Sequence, residues 1–213
     1  QEEEHKTVTA NLVLENDHVR LEFAPPHMGA ARMLDKGSGV EHVRTDQEGY
    51  LLWELFHKLG IFEQVLTNLT YPVTRSGVEK LPGGGQRASM VWEDLRHWPE
   101  DKVLTVRVTV ELPADDGVAE WRISAENRSN LWGLWEVRFP YFKHILEPGQ
   151  YDLSYAANNW GNLLRGFSEE RSTTFAYPSC EWALPFISLT RGDSSIYLGA
   201  HDPKVWTKTY KVK

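Results

Sequence analysis

The chain has 213 residues, of which 41% are hydrophobic and 25% charged, an ordinary globular balance that sets aside disorder and a membrane-spanning chain. Thirty acidic against 23 basic residues give a formal net charge of -7, and no Lys/Arg run occurs. Neither nucleic acid nor a membrane is an expected partner, since the first needs a basic surface and the second an apolar run of about 18 residues.

The chain opens on a polar, acidic end over residues 1–6. Leu12 and Leu14, then Val19, Leu21 and Phe23, alternate with His18, Arg20 and Glu22, and a period of two predicts half-buried strands. Glu15-Asn16-Asp17 supplies the turn between them, and Asp35-Lys36-Gly37-Ser38-Gly39 another after the apolar stretch 30–34. Residues 50–59 carry Leu51, Leu52, Leu55, Phe56 and Leu59, spacings that suit a short helix and a buried strand equally. Pro82-Gly83-Gly84-Gly85 reads as a surface turn, for it lacks the Lys-Ser/Thr ending of a phosphate-binding loop.

The clearest local pattern is Leu104, Val106, Val108, Val110 and Leu112, followed by Asp115-Asp116-Gly117 and then by Ala119, Trp121, Ile123 and Ala125. It predicts a long antiparallel hairpin with one apolar face, which must be covered by a second layer. Further strands are expected at 135–139, 173–177, 186–190 and 196–200, with Arg191-Gly192-Asp193 turning the last two. About a dozen strands and few short helices fit a large antiparallel β-sandwich, a single domain over residues 1–213. Residues 205–212 still read as extended, so the natural chain is expected to continue past Lys213.

Nine tryptophans and eight tyrosines supply core rings and also flat faces on which sugars stack. The lone Cys180 has no partner for an internal disulfide and is expected to pack as a small hydrophobe. A start at Gln1 without methionine points to an exported protein, secreted, periplasmic or at the cell surface. Asn68-Leu69-Thr70 and Asn127-Arg128-Ser129 fit the glycosylation sequon, a triplet common enough to carry no weight by itself.

No compact catalytic, metal or dinucleotide motif occurs, and neither metal nor cofactor is expected. Glycoside hydrolysis needs two carboxylates across a sugar ring, and such pairs have no spacing code. Glu93, Asp94, Glu169, Glu170 and Glu181 lie near aromatics but read as solvated charges, so no catalytic residue is assigned. Ligand contacts are expected at Asn158, Asn159 and Trp160, where amides can meet hydroxyls beside an indole. Two further polar and aromatic clusters are His97 with Trp98, and His201 with Asp202.

Leu14-Glu15-Asn16-Asp17 with strand 19–23, then Gly29 and the turn 35–39, resemble the opening of galactose-mutarotase-like supersandwich domains. Glu126-Asn127-Arg128-Ser129-Asn130 followed by Trp135-Glu136-Val137-Arg138-Phe139-Pro140 is similar to the hairpin and Phe-Pro strand of that family. Tyr177-Pro178-Ser179 through Tyr197-Leu198-Gly199-Ala200-His201-Asp202 resembles its final strands. The resemblance implies the non-catalytic N-terminal domain of a multidomain glycoside hydrolase, with the catalytic barrel of the same protein and a carbohydrate as partners. A loop such as that at Trp160 would then reach the substrate cleft, while the catalytic carboxylates would lie in the barrel. Two alternatives remain: an independent carbohydrate-binding module, which three exposed coplanar tryptophans would favour, and a stand-alone mutarotase or polysaccharide lyase. The His and Glu pattern of true mutarotases is not recognisable, and fold similarity does not carry function across.

Overall fold

The structure, a computed structural model, describes residues 10–44, 50–142, 150–157, 160–167, 173–177, 182–201 and 207–212. Its contacts fall into two compact units, Gln1–His144 and Ile145–Lys213.

The first unit opens with a four-stranded meander, β1 (Leu12–Glu15), β2 (Val19–Ala24), β3 (Gly29–Asp35) and β4 (Glu41–Arg44), paired in sequence order. The turns are those expected: Asn16 Oδ1 accepts the backbone N–H groups of His18 and Val19, and Asp35 Oδ1 accepts that of Gly37. β5 (Glu54–Leu59) and β6 (Phe62–Thr67) form a hairpin, so the open choice at 50–59 resolves as a strand from Glu54 onward. A second meander holds β7 (Arg75–Lys80), β8 (Gln86–His97), β9 (Glu100–Leu112) and β10 (Glu120–Asn127), again between sequence neighbours. β11 (Gly133–Arg138) then returns to pair with β5, giving the order β11-β5-β6.

In the second unit β12 (Tyr151–Ala157) pairs with β13 (Trp160–Phe167). After β14 (Thr173–Tyr177), the strands β15 (Trp182–Arg191) and β16 (Ser194–Gly199) extend that sheet to the order β13-β12-β15-β16. β14 pairs with β17 (Lys208–Val212).

The chain is therefore all-β with antiparallel sheets, as the alternation predicts, and no α-helix occurs among the described residues. Its layering differs from the expected sandwich. The strands gather into several small antiparallel sheets of two to four strands. Short turns such as Gly60-Ile61 and Trp98-Pro99 return a strand beside the one before it, whereas β11 crosses back to β5.

The core of the first unit forms around the β8–β9 hairpin. Ala88, Met90 and Trp92 on β8, with Leu104, Val106, Val108, Val110 and Leu112 on β9, are closed from solvent. Leu14 and Phe23 from the first sheet and Leu55 and Leu66 from the third pack into the same cluster. Each such side chain contributes about 1.5–3 kcal/mol by leaving water. Trp53 and Trp92 meet edge to face, with ring centroids 5.4 Å apart.

The irregular stretch before β5 is held by one polar residue. Fully buried Asn68 accepts at Oδ1 from the N–H of Leu52 at 2.8 Å and of Trp53 at 3.4 Å, and its Nδ2 donates to the carbonyls of His27 at 3.0 Å and Tyr50 at 2.7 Å. That occupancy removes it as a glycosylation acceptor in the folded chain. Gly29 lies so close beneath that a Cβ there would stand 2.1 Å from the Tyr50 carbonyl oxygen. Asn68→Ala removes four hydrogen bonds to backbone, two of them buried, and is expected to cost about 3 kcal/mol, read as a lower denaturation midpoint in urea.

Candidate functional site

Two of the sheets in the first unit carry ion pairs on their outer strand positions. On the first, Arg20 Nε lies 2.7 Å from Glu22 and Arg32 Nε 2.6 Å from Glu41. On the sheet of β7 to β10, Arg87 reaches Glu79 at 2.8 Å and Glu111 at 2.9 Å, and Arg122 reaches Glu120 at 2.7 Å. Such half-exposed pairs add little stability each, but they keep the faces hydrated and unattractive to other chains.

The β11-β5-β6 sheet is different at the end formed by its hairpin tip and by neighbouring turns. Ile61 is 95% exposed and Phe62 66%, at the β5–β6 turn; Trp98, at the β8–β9 turn, is 66% exposed; Trp135, on β11, is 70% exposed. Leu59 and Leu131 are exposed beside them. These residues are tied together structurally. Leu59 stands opposite Phe62 in the β5–β6 ladder, and Lys58 stands opposite Gly133 in the β5–β11 ladder. Trp135 is the extra residue of a bulge between Leu134 and Glu136, which re-aims its side chain. The Lys58 ammonium lies 4.4 Å from the centre of its ring, a cation–π contact that fixes the indole while most of its surface stays open.

Beneath this end lie His57 and His97, both closed from solvent. Their rings meet edge to face with centroids 4.4 Å apart, and His97 lies 4.6 Å from the ring of Trp132. Trp132 Nε1 donates to the carbonyl of Trp98 at 2.9 Å, which pins the exposed turn to the buried cluster. Neither ring has a side-chain hydrogen-bond partner, while the Leu55 backbone acts on the His57 imidazole and favours its protonated form. Burial, reinforced by the facing His97, pushes the His57 imidazole down to about 4. His97 is lowered too, by burial, with Glu100 opposing. Glu100 stands opposite His97 in the ladder and accepts from the Ser129 hydroxyl and from the Asn130 N–H at 3.1 Å. The Ser129 hydroxyl holds its carboxyl below the usual range.

Neutral rings sealed from solvent cannot exchange protons with a substrate, so the cluster is a packing element rather than acid–base machinery. Among the described residues no group of three His, Cys, Asp or Glu side chains could hold a metal ion, and no helix is long and apolar enough to cross a membrane.

The expected ligand-contact residues divide between the two units. His97 and Trp98 are in the first, where His97 is buried rather than at a surface and Trp98 is exposed. Asn158, Asn159 and Trp160 fall in the second, at the β12–β13 turn, where Ala157 pairs with Trp160; Asn158 and Asn159 lie outside the described residues. His201 is exposed just beyond β16, and Asp202 lies outside the described residues. Of the acidic residues singled out in the sequence, Glu93 pairs with Arg75 and Asp94 with Arg128; Glu169, Glu170 and Glu181, like Cys180, fall outside the description.

No protein-family model and no curated protein matches this chain. The site therefore rests on its own geometry. Sequence reasoning passed over His57, Ile61, Phe62 and Trp135. The legible signal was Trp135 inside an otherwise alternating strand, but the bulge that turns it outward depends on pairing with β5.

Trp132→Phe keeps an aromatic ring beside His97 but removes the bond to the Trp98 carbonyl and part of the buried ring volume, so it is expected to cost about 1–2 kcal/mol. Trp132→Ala is expected to cost about 3–5 kcal/mol. Equilibrium urea unfolding near neutral pH separates the two.

Proposed function

We propose that this chain is a non-catalytic accessory domain of a larger, exported carbohydrate-active protein, and that it supports a glycoside hydrolase barrel of the same polypeptide by docking through the apolar end of its first unit. The observation that carries the reading is the set of exposed apolar side chains Ile61, Phe62, Trp98, Leu131 and Trp135 at one end of the first unit. A contiguous exposed apolar surface with polar surroundings is the mark of an interaction site. Branched aliphatic side chains beside the indoles suit a protein partner, because they offer nothing to a sugar's hydroxyls. Trp and Phe projecting from a fixed base are the residue types that anchor such contacts. The carbohydrate assignment is supported by the resemblance of 14–39, 126–140 and 177–202 to supersandwich domains.

A second reading, an independent carbohydrate-binding module, is favoured by the exposed rings of Trp98 and Trp135. These are two of the six tryptophans whose side chains are described.

The intact mass of the native gene product tests the first reading, together with binding of any extension to this chain as a separate polypeptide. A barrel-sized extension is expected, hydrolysing glycosides where this chain alone does not. Its binding is expected to fall at least about tenfold, or 1.4 kcal/mol, with the double variant Ile61→Asp/Phe62→Asp. A product ending at Lys213, with oligosaccharide binding lost in Trp98→Ala or Trp135→Ala, would establish the binding module instead.

A further inference from the structure

We propose that His57 and His97 form an acid-sensitive latch, which holds the Trp98 turn and the 128–132 connection onto the first unit and releases them when either ring is protonated. The inference goes beyond the docking reading and does not depend on what covers the apolar end.

The geometry supplies both parts of a latch. Two imidazoles closed from solvent, in contact with each other and with no side-chain partner on either ring, favour the neutral form, because burial outweighs the help that the Leu55 backbone gives His57 and Glu100 gives His97. They also sit where the structure can open without unfolding. From Gln86 opposite Leu112 to Trp92 opposite Val106 the β8–β9 ladder is regular; beyond Trp92 it shifts register twice before His97 reaches Glu100. Asp94 and Lys102 lie in the left-handed region, with φ of 54° and 56°, which non-glycine residues adopt at a cost. The end of this hairpin therefore leans on its side chains, and the His97–Trp132 contact is central among them.

The surroundings offer little compensation for a new charge. Around His57, β6 places Gln64 directly opposite and β11 places Leu134. Lys58 lies on the other face against Trp135 and within 3.8 Å of Glu63. Around His97, Arg96 is paired with Asp101 and Asp94 with Arg128. Glu100 is the one charged group that acts directly on the His97 imidazole. It already accepts from Ser129 and Asn130, so a protonated His97 competes with the 128–132 connection for the same carboxylate. Protonation loosens that segment from two sides.

The sign follows from the lowered affinities. An opened imidazole titrates near 6.5, and His57 in the closed state near 4. Opening therefore takes up protons in that interval. The closed form has its full advantage above pH 6.5 and loses it as pH falls toward 4.

The experiment follows the imidazole resonances of the full chain by NMR, and its amide hydrogen exchange segment by segment, from pH 8 down to 4. Two histidines are expected to remain neutral well below 6.5. As they titrate, residues 96–102 and 128–133 lose protection while 106–110 and 121–125 keep theirs. Simultaneous loss across all four segments would overturn the latch, as would 96–102 and 128–133 exchanging alike at every pH. The double variant His57→Phe/His97→Phe keeps aromatic rings without titratable nitrogens and should abolish the acid opening; opening at an unchanged pH would overturn the proposal. Should that variant not fold, the exchange pattern of the unaltered chain decides alone.

Discussion

The alternate residues that β8 and β9 turn inward, from Ala88 to Trp92 and from Leu112 back to Leu104, form a strip that can leave water only if other layers close over it. Leu14 and Phe23 from the first sheet and Leu55 and Leu66 from the third do so. Because the covering residues are donated by strands of short meanders, the unit is built from small sheets around a shared interior. Trp53 against Trp92 fills the junction with two large rings whose edge-to-face contact adds to simple burial.

Closing that interior decides what remains outside. On the outward faces of the first two sheets Arg and Glu side chains pair, within a strand as Arg20 with Glu22 or between strands as Arg32 with Glu41 and Arg87 with Glu79 and Glu111. At the end of the third sheet the outward and terminal positions are instead Ile61, Phe62 and Trp135. One chain thus makes one kind of surface that resists association and another that invites it, and the difference lies in residue type rather than in backbone form.

Its buried polar groups are treated just as unequally. Asn68 has both its oxygen and its nitrogen engaged by backbone on two separate segments, at 27 and at 50–53, and so acts as a fixed rivet. His57 and His97 have no side-chain partner and hold their place mainly by packing against each other and Trp132. The Asn68 carboxamide does not titrate, whereas the two imidazoles do, and burial disfavours their charged form.

Much of this was legible before any coordinates. A period of two over 104–112 and 119–125 determined the hairpin and its buried face, since side chains of a strand alternate between two sides. Asn16, Asp35 and the Gly83-Gly84 pair marked turns because their side chains or positive φ permit the reversal. Trp98 and His97 were both singled out as ligand contacts; Trp98 is exposed and His97 is buried, because the inside of a strand end is settled by whatever packs on it. The sequence by itself determined the all-β class, the turns and the apolar stripes, each the product of neighbours within a few residues. Only the tertiary structure decided that strands gather in small sheets, that a bulge against β5 turns Trp135 outward, and that His57 meets His97 across 40 positions of chain. Those are long-range pairings, and periodicity carries no record of which stripe lies against which.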